Sequence, residues 1–551
     1  MRLHLICRTL IACLLGAGAT LAQDAGGGPP GEGPGARMQY KRMHQHALRL
    51  IEQGKVDEAI EHLLIVQKKL PEDAETQFML TVAYAQAGKK NEAIAAMKKA
   101  IEMGLPVGRF VAGPRELFKP LEGEKAFVEL RKDAAESWLI HGPMLTNLTS
   151  TSATFWIRGA DEEHYASLMV VPMKAGEVIH DGKIRVSKTS DFTGTITLKG
   201  LKPDTEYECR LGVSKPNDPP GARFTGDLFR GPFAFRTPPA PGSKQKLTLA
   251  FGGGAGYQPT HEYVWNTIGS FKPDLLLMVG DNVYIDDPES AQMNRYTYYR
   301  RQSRPEWRKL VATTPVYSIW DDHDFSTNDS WGGPEIDKPA WKRQVWNIFK
   351  ENWANPGYGG GEKQPGCWYD FTVGDIHFIM LDCRYYRTNP KKADPTMLGP
   401  VQKAWLFDTI KKSRGTFKVL CSSVPWVFEA KGDSLDTWNG YKDERNEIFD
   451  FLTKEKIEGV VLLSGDRHRT DLWKIPREKD YPLYEFNSSR LTNDHVHPEM
   501  KQAIFSYNKK QSFGIVSFDT TLGDPTVTYK VVSIDGEVMH TFTAKRSELQ
   551  K

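Results

Sequence analysis

Residues 319–329 read IWDDHDFSTND: Asp321, Asp322, Asp324 and Asp329, with His323 and Asn328, within eleven positions. So dense a set of carboxylates repels itself in a folded chain unless cations sit among them. The preceding apolar run, PVYSIW (315–320), is too short for a helix and does not alternate, which marks a strand buried on both faces. The same grammar recurs in PDLLLMVGD (273–281), IHFIMLDCR (376–384), FKVLCSS (417–423) and GVVLLSGDRH (459–468). Helical stretches such as HEYVWNTIGSF (261–271) and PVQKAWLFDTIKKS (400–413) separate these runs, so residues 245–545 predict an α/β domain. In such sheets ligands sit beyond the carboxyl ends of the strands, and the polar residues fall there.

That edge collects Asp281, Asn282 and Tyr284 from one strand and the 321–328 cluster from a second. Asp382 and Arg384 come from a third, and Asp466, Arg467 and His468 from a fourth. Each piece alone reads blandly, as a turn, a helix cap or a surface loop. Three acidic clusters, two with a histidine, ending three buried strands predict bound divalent metals held by oxygen and nitrogen.

Outward from this domain the pattern changes. Residues 138–240 alternate with a period of two in SATFWIRG, TGTITLKGL and TEYECRLGV, predicting a small β-sandwich. LKPDTEYECRLGV resembles the fibronectin type III pattern, with Tyr207 as its buried tyrosine. Residues 38–137 are helical and repeat. Gly54 and Gly88, Glu58 and Glu92, and Ala59 and Ala93 each lie 34 apart, a period that resembles tetratricopeptide repeats; a partial third unit follows at 117–139. The segment is either a groove for a protein or peptide partner or a packing module. Residues 23–37 form a Gly/Pro linker. Residues 1–22 have a basic start, an apolar stretch and small residues before Gln23, which predicts a secretory signal peptide and a periplasmic or extracellular location. LIAC, ending at Cys13, has too few apolar residues before it for a lipoprotein signal.

A net charge of +3, or +1 without Arg2 and Arg8, argues against a nucleic-acid scaffold or a polybasic membrane patch. No mature segment is long and apolar enough for a transmembrane helix. Cys209, Cys367, Cys383 and Cys421 are scattered, and buried free thiols are expected.

GDNVY, WDDHDFSTND, LDCRYYR and SGDRH, in that order after a β-sandwich, resemble the PhoD-like alkaline phosphatases among the calcineurin-like metallophosphoesterases. The resemblance covers residues 138–545 and implies a multi-domain chain ending in a metallophosphoesterase α/β sandwich of mixed sheets flanked by helices. It implies an exported hydrolase of phosphate esters with two or more metal ions. By it, Asp281, Tyr284, Asp322, Asn328, Asp466 and His468 hold metal, His323 is the proton donor or charge stabiliser at the leaving group, and Arg384 holds phosphate oxygens or else forms a salt bridge. Asp321, Asp324 and Arg467 support the site or the substrate.

Two departures stand out. Gly254, in LTLAFGGGAGY (247–257), stands where the family has an iron-binding cysteine. Its loss disfavours ferric iron and favours Ca, Mn, Zn or Mg; the glycine run offers backbone N–H groups to phosphate instead, or is a plain turn. Ser422 and Ser423 stand where many metallophosphoesterases place a histidine. His495 and His497, in TNDHVHP, read as a solvated loop, and His261 as a surface or supporting residue. The alternative is an exported binding protein whose helical repeats recruit a partner beside a lapsed catalytic domain.

Overall fold

A computed structural model describes residues 39–174, 180–214 and 233–551. The signal-peptide and linker expectations fall outside the described residues.

The chain enters through four helices, α1 (Tyr40–Glu52), α2 (Val56–Lys69), α3 (Ala74–Gln86) and α4 (Lys90–Glu102). Gly54 and Gly88 close the first and third of these at φ 76° and 72°, a left-handed conformation that suits glycine. Ala59 and Ala93 are fully buried where the helices meet, so the repeated small residues set the helix spacing. Asp73 caps α3, accepting from the Thr76 amide at 2.8 Å. In place of the first helix of a third unit stands a 3-10 turn, Glu116–Leu121, containing Pro120; Lys125–Ser137 is helical again. Pro120 explains the change, since it has no amide for an α-helical bond.

The helical core continues into the C-terminal part, because Met293 and Tyr296 belong to the same apolar cluster as Phe78, Phe110 and Phe118. Buried Glu75 takes a two-pronged ion pair from Arg109, at 2.7 and 2.8 Å, and a hydrogen bond from the Tyr296 hydroxyl at 2.7 Å. The helices therefore pack as an integral part of the body formed from Tyr40 onward.

The described residues between 139 and 236 form two antiparallel sheets. One has three strands ordered Leu139–Thr146, Ser152–Gly159, Thr193–Lys199; the other has four, ordered His180–Ile184, Tyr165–Pro172, Glu206–Ser214, Phe233–Arg236. Tyr207 is buried and its hydroxyl accepts from the Lys202 amide at 2.7 Å.

Two further sheets face each other over the main core. The first runs Val316–Ile319, Leu275–Val279, Lys246–Gly252, all parallel, then Ser512–Asp519, Thr526–Ser533 and Val538–Lys545 antiparallel. The second carries Ile376–Met380, Phe417–Cys421, Val460–Ser464 and Asp480–Ser488 in parallel at its centre. Every parallel strand is buried along its length except within the first three residues of Lys246–Gly252 and Asp480–Ser488. That is why these runs are continuously apolar. Among the described residues Cys209, Cys367, Cys383 and Cys421 are free and buried. Among the described residues no helix is long and apolar enough to cross a membrane.

Candidate metal centre

The turn after Leu275–Val279 is shaped by Gly280 at φ 108°, where a side chain would meet Asp321 Cβ at 2.6 Å. Asp281 follows at φ 53°. Its Oδ2 accepts from the Tyr284 hydroxyl at 2.7 Å, while Oδ1 is buried with no partner. Burial and the charge of Asp322 push the Asp281 carboxyl well above its usual range. A buried carboxylate oxygen left open asks for a cation. Burial and Asp281 likewise push the Tyr284 phenol well up, an effect that only a strongly charged ion would reverse.

After Val316–Ile319 the chain turns into a short helix, Asp322–Phe325, capped at Asp321. Asp324 accepts from the amides of Asn282, Val283 and Asp321, each at 3.0 Å, and so ties the two ligand turns together. Burial raises its pKa to about 7, against the pull of those amides. Asp322 stands at a junction. Ligand atoms of Asp281, Asp322 and His323 lie within 4.8 Å of one another, and so do those of Asp322, Asp329 and Asp436. Although burial raises it, Arg384 and His323 hold the Asp322 carboxyl below its usual range. His323 Nδ1 lies 2.5 Å from Asp286 Oδ1. Burial lowers the imidazole pKa, but Asp286, Asp322 and Asp281 outweigh it and carry the value to about 10.

The loop after Val460–Ser464 holds Asp466 at φ 67° and His468 at φ 47°. Lys431 lies 2.9 Å from Asp329, 2.9 Å from Asp436 and 3.5 Å from Asp466, joining three carboxylates. Asn493 Nδ2 reaches both the Tyr284 hydroxyl, at 2.7 Å, and His468 Nδ1, at 3.0 Å. Burial, with His495 and His497 alongside, holds the His468 imidazole well below its usual pKa, the neutral form that a metal accepts. The donor set suits divalent cations: carboxylates, a phenol and a neutral imidazole, with open buried oxygens.

The family model for PhoD-like phosphatases matches residues 249–547, more than half of the chain. The chain belongs to the PhoD-like phosphatase family. A curated relative, alkaline phosphatase D of Bacillus subtilis (strain 168), is 24% identical over 322 residues, covering 50% of this chain and 52% of that protein. The match thus spans about half the length of the curated relative. A solved structure of PhoD superposes with a TM-score of 0.61 at 17% identity, covering 74% of this chain and 90% of that one. A purple acid phosphatase from yellow lupin (Lupinus luteus) gives 0.54 at 13% identity, covering 74% and 75%. At these identities the two structures speak for the fold.

Within the PhoD-like part, several expected residues sit differently from their sequence reading. Asn328 is exposed; its neighbour Asp329 joins the Asp322–Asp436 cluster instead. Arg384 is fully buried, and its donors are taken by Asp321 at 2.6 Å, Asp436 at 2.7 Å and the Ser330 carbonyl at 3.1 Å. With four of its five N–H donors engaged, it is in the first place a structural ion pair. Arg467 donates to the Ala430 carbonyl at 3.2 Å and to Asp466 at 3.3 Å.

The glycine run does not present its amides to a ligand either. Gly253, Gly254 and Ala255 donate to the carbonyls of Ser488, Gly280 and Asp281. Gly254, at φ 66°, would place any Cβ 2.1 Å from the Ser489 carbonyl oxygen, so the backbone leaves no room for a thiol there. Ser423 donates to Asp321 at 2.8 Å, and Ser422 to the Val424 carbonyl at 2.7 Å. His495 and His497 are half-buried against His468, with ring centroids 4.9 and 5.6 Å away, so their loop closes on the site. His261 is half-buried and approaches the Thr492 carbonyl at 3.2 Å.

Sequence reasoning missed Asp286, Lys431, Asp436 and Asn493. Asn493 had a signal, since it belongs to TNDHVHP; Asp286 and Asp436 lie in loops and Lys431 at the end of a short 3-10 helix, without a pattern. A cavity of about 830 Å³ between the sandwich and the catalytic part, lined by Arg236, Asp274 and Leu310 among others, contains none of the acidic clusters.

Proposed function

We propose that the chain is an exported, metal-dependent phosphoric ester hydrolase. The observation that supports this most is the convergence of Asp281, Asp322 and His323 from two strand ends with open carboxylate oxygen at their centre. Asp281, Tyr284, Asp322, Asp466 and His468 would hold the metals, with Asp329 a better partner for Asp322 than Asn328. When bound, such ions supply Lewis acidity and a water acidified from about 15.7 towards 7.

The chain's own groups do the rest. Asp281 and Asp322 fix the positions where positive charge gathers. Lys431 and Arg384 neutralise Asp436, Asp329 and Asp321, so that the cluster survives burial. His323, kept protonated by Asp286, donates its proton to the leaving alkoxide as the ester bond to phosphorus breaks. The closed surroundings strengthen each of these charges by excluding water. Export rests on the leader-like residues 1–22. The sandwich, with its buried Tyr207, reads as fibronectin III-like, and the helices with their 34-residue spacing as tetratricopeptide-like.

The test is hydrolysis of p-nitrophenyl phosphate and of its bis ester by metal-loaded protein, with elemental analysis beside an Asp281→Ala variant. Two or more ions per chain and turnover are expected in the wild type, with both reduced in the variant. A metal-loaded protein inert on both esters would sink the reading and favour the lapsed domain.

A further inference from the structure

Helix α1 reaches the centre of the site. Lys41 is 4% exposed, and its Nζ lies 3.3 Å from the centroid of the Tyr284 ring. It donates to Asn493 Oδ1 at 3.3 Å. The helix is fixed there along its length. Arg42 Nε lies 3.5 Å from Asp286 Oδ2 and Arg49 Nε 3.3 Å from Asp287 Oδ2. Gln45 donates to the Tyr284 carbonyl, and Ser290 donates to Glu52 at 2.6 Å.

An ammonium carries three N–H donors. Lys41 spends one on Asn493, and among the described residues no carboxylate lies within ion-pair distance of its Nζ. Arg384, Lys431 and Arg467 at the same site are tied to carboxylates or carbonyls. Lys41 keeps two of its three donors open, and buried donors left unmade are costly; Arg467, with two of its five N–H groups spent, is the other of these cations with donors to spare. Cations bound at Asp281 and Tyr284 would repel a neighbouring ammonium unless an anion lay between them.

We propose that Lys41, carried in by the helical segment, is a phosphate-binding residue, whose open N–H groups take oxygens of the substrate's phosphoryl group and of the phosphate product. This rests on the proposed hydrolase reading for the identity of the substrate, but phosphate binding is measured separately from turnover. The N-terminal helices thereby complete a site whose metal-holding residues all come from the C-terminal part.

The experiment titrates inorganic phosphate calorimetrically into the full, metal-loaded chain as wild type, Lys41→Ala and Lys41→Arg. Metal content and melting temperature are measured on each. Removing a charge-assisted pair is expected to weaken phosphate binding about 10- to 100-fold in Lys41→Ala, at unchanged metal content, with most of the affinity kept in Lys41→Arg. In steady state KM should rise more than kcat falls. Equal phosphate affinity in wild type and Lys41→Ala overturns the proposal, as does a wild type that binds no phosphate. Gain of metal or activity on removing Lys41 also overturns it, marking the side chain as a plug. A wild type that binds phosphate through Lys41 yet hydrolyses no ester sinks the hydrolase reading and leaves the binding role standing.

Discussion

Asp286 Oδ1 and His323 Nδ1 lie 2.5 Å apart, the aspartate half-buried and the imidazole buried in the cluster with Asp281. The pair fixes the ring's orientation and its charge together. Asp286→Asn should keep the contact and remove the charge, lowering kcat about 10- to 100-fold and moving the alkaline limb of its pH profile to lower pH. Unchanged kcat across the profile would rule out His323 as the proton donor.

The same pair shapes stability in metal-free protein. His323 is raised from 6.5 to about 10, so its contribution is complete below about 6.5 and is lost as pH rises towards 10. Asp286 is held well below its usual range, against burial, chiefly by His323. Its contribution is therefore present above about 3.9 and lost as pH falls below that. Urea midpoints of chelator-treated wild type should decline between pH 7 and 10, and those of Asp286→Asn should decline less steeply.

Arg384 separates a structural from a substrate role. With Asp321 and Asp436 both leaning on it, Arg384→Met should cost about 3–5 kcal/mol of stability, as expected when one partner of a buried ion pair is removed. Denaturant unfolding measures this. A normal midpoint with a raised KM would return the arginine to the phosphate.

Gly254→Cys tests whether a thiol can be restored to the glycine run. The left-handed backbone and the Ser489 carbonyl 2.1 Å from any Cβ predict a lower melting temperature and no gain of iron. Strain at such a position costs about 1–3 kcal/mol before the clash is counted.

Asn493 links Tyr284 to His468. Side chains that orient ligands typically matter about 10- to 100-fold in metal affinity. Asn493→Ala should therefore weaken metal binding in that range, read by competition with a chromophoric chelator, while the fold is retained.

Strand ends were legible because burial on both faces leaves an unbroken apolar run, and the carboxylates behind it stand out by their density. Asp281, Asp322, His323, Asp466 and His468 could be picked on that ground. Asn328 is exposed while Asp329 joins the Asp322–Asp436 cluster, because a one-turn helix at 322–325 sets which side of the following loop turns inward. Asp286 and Asp436 sit in irregular loops and Lys431 ends a one-turn 3-10 helix, Phe428–Lys431, where no periodicity says which side chain points in. Arg384 was visible, but its partners were not, since the ion pair spans 52 and 63 residues of sequence. Lys41 is the single lysine of α1, beside Arg42 and Arg49, and only three-dimensional packing sets it apart from them.

Tyr296 has a consequence for how the protein can be handled. Its ring is packed among the phenylalanines of the helices and its hydroxyl is held by Glu75. A fragment trimmed to the family-matched span would carry that greasy face, with Met293 beside it, into water. Such a fragment is expected to aggregate. The leading helices are a wall of the building, and a dissection that treats them as an annex removes what keeps the rest dry.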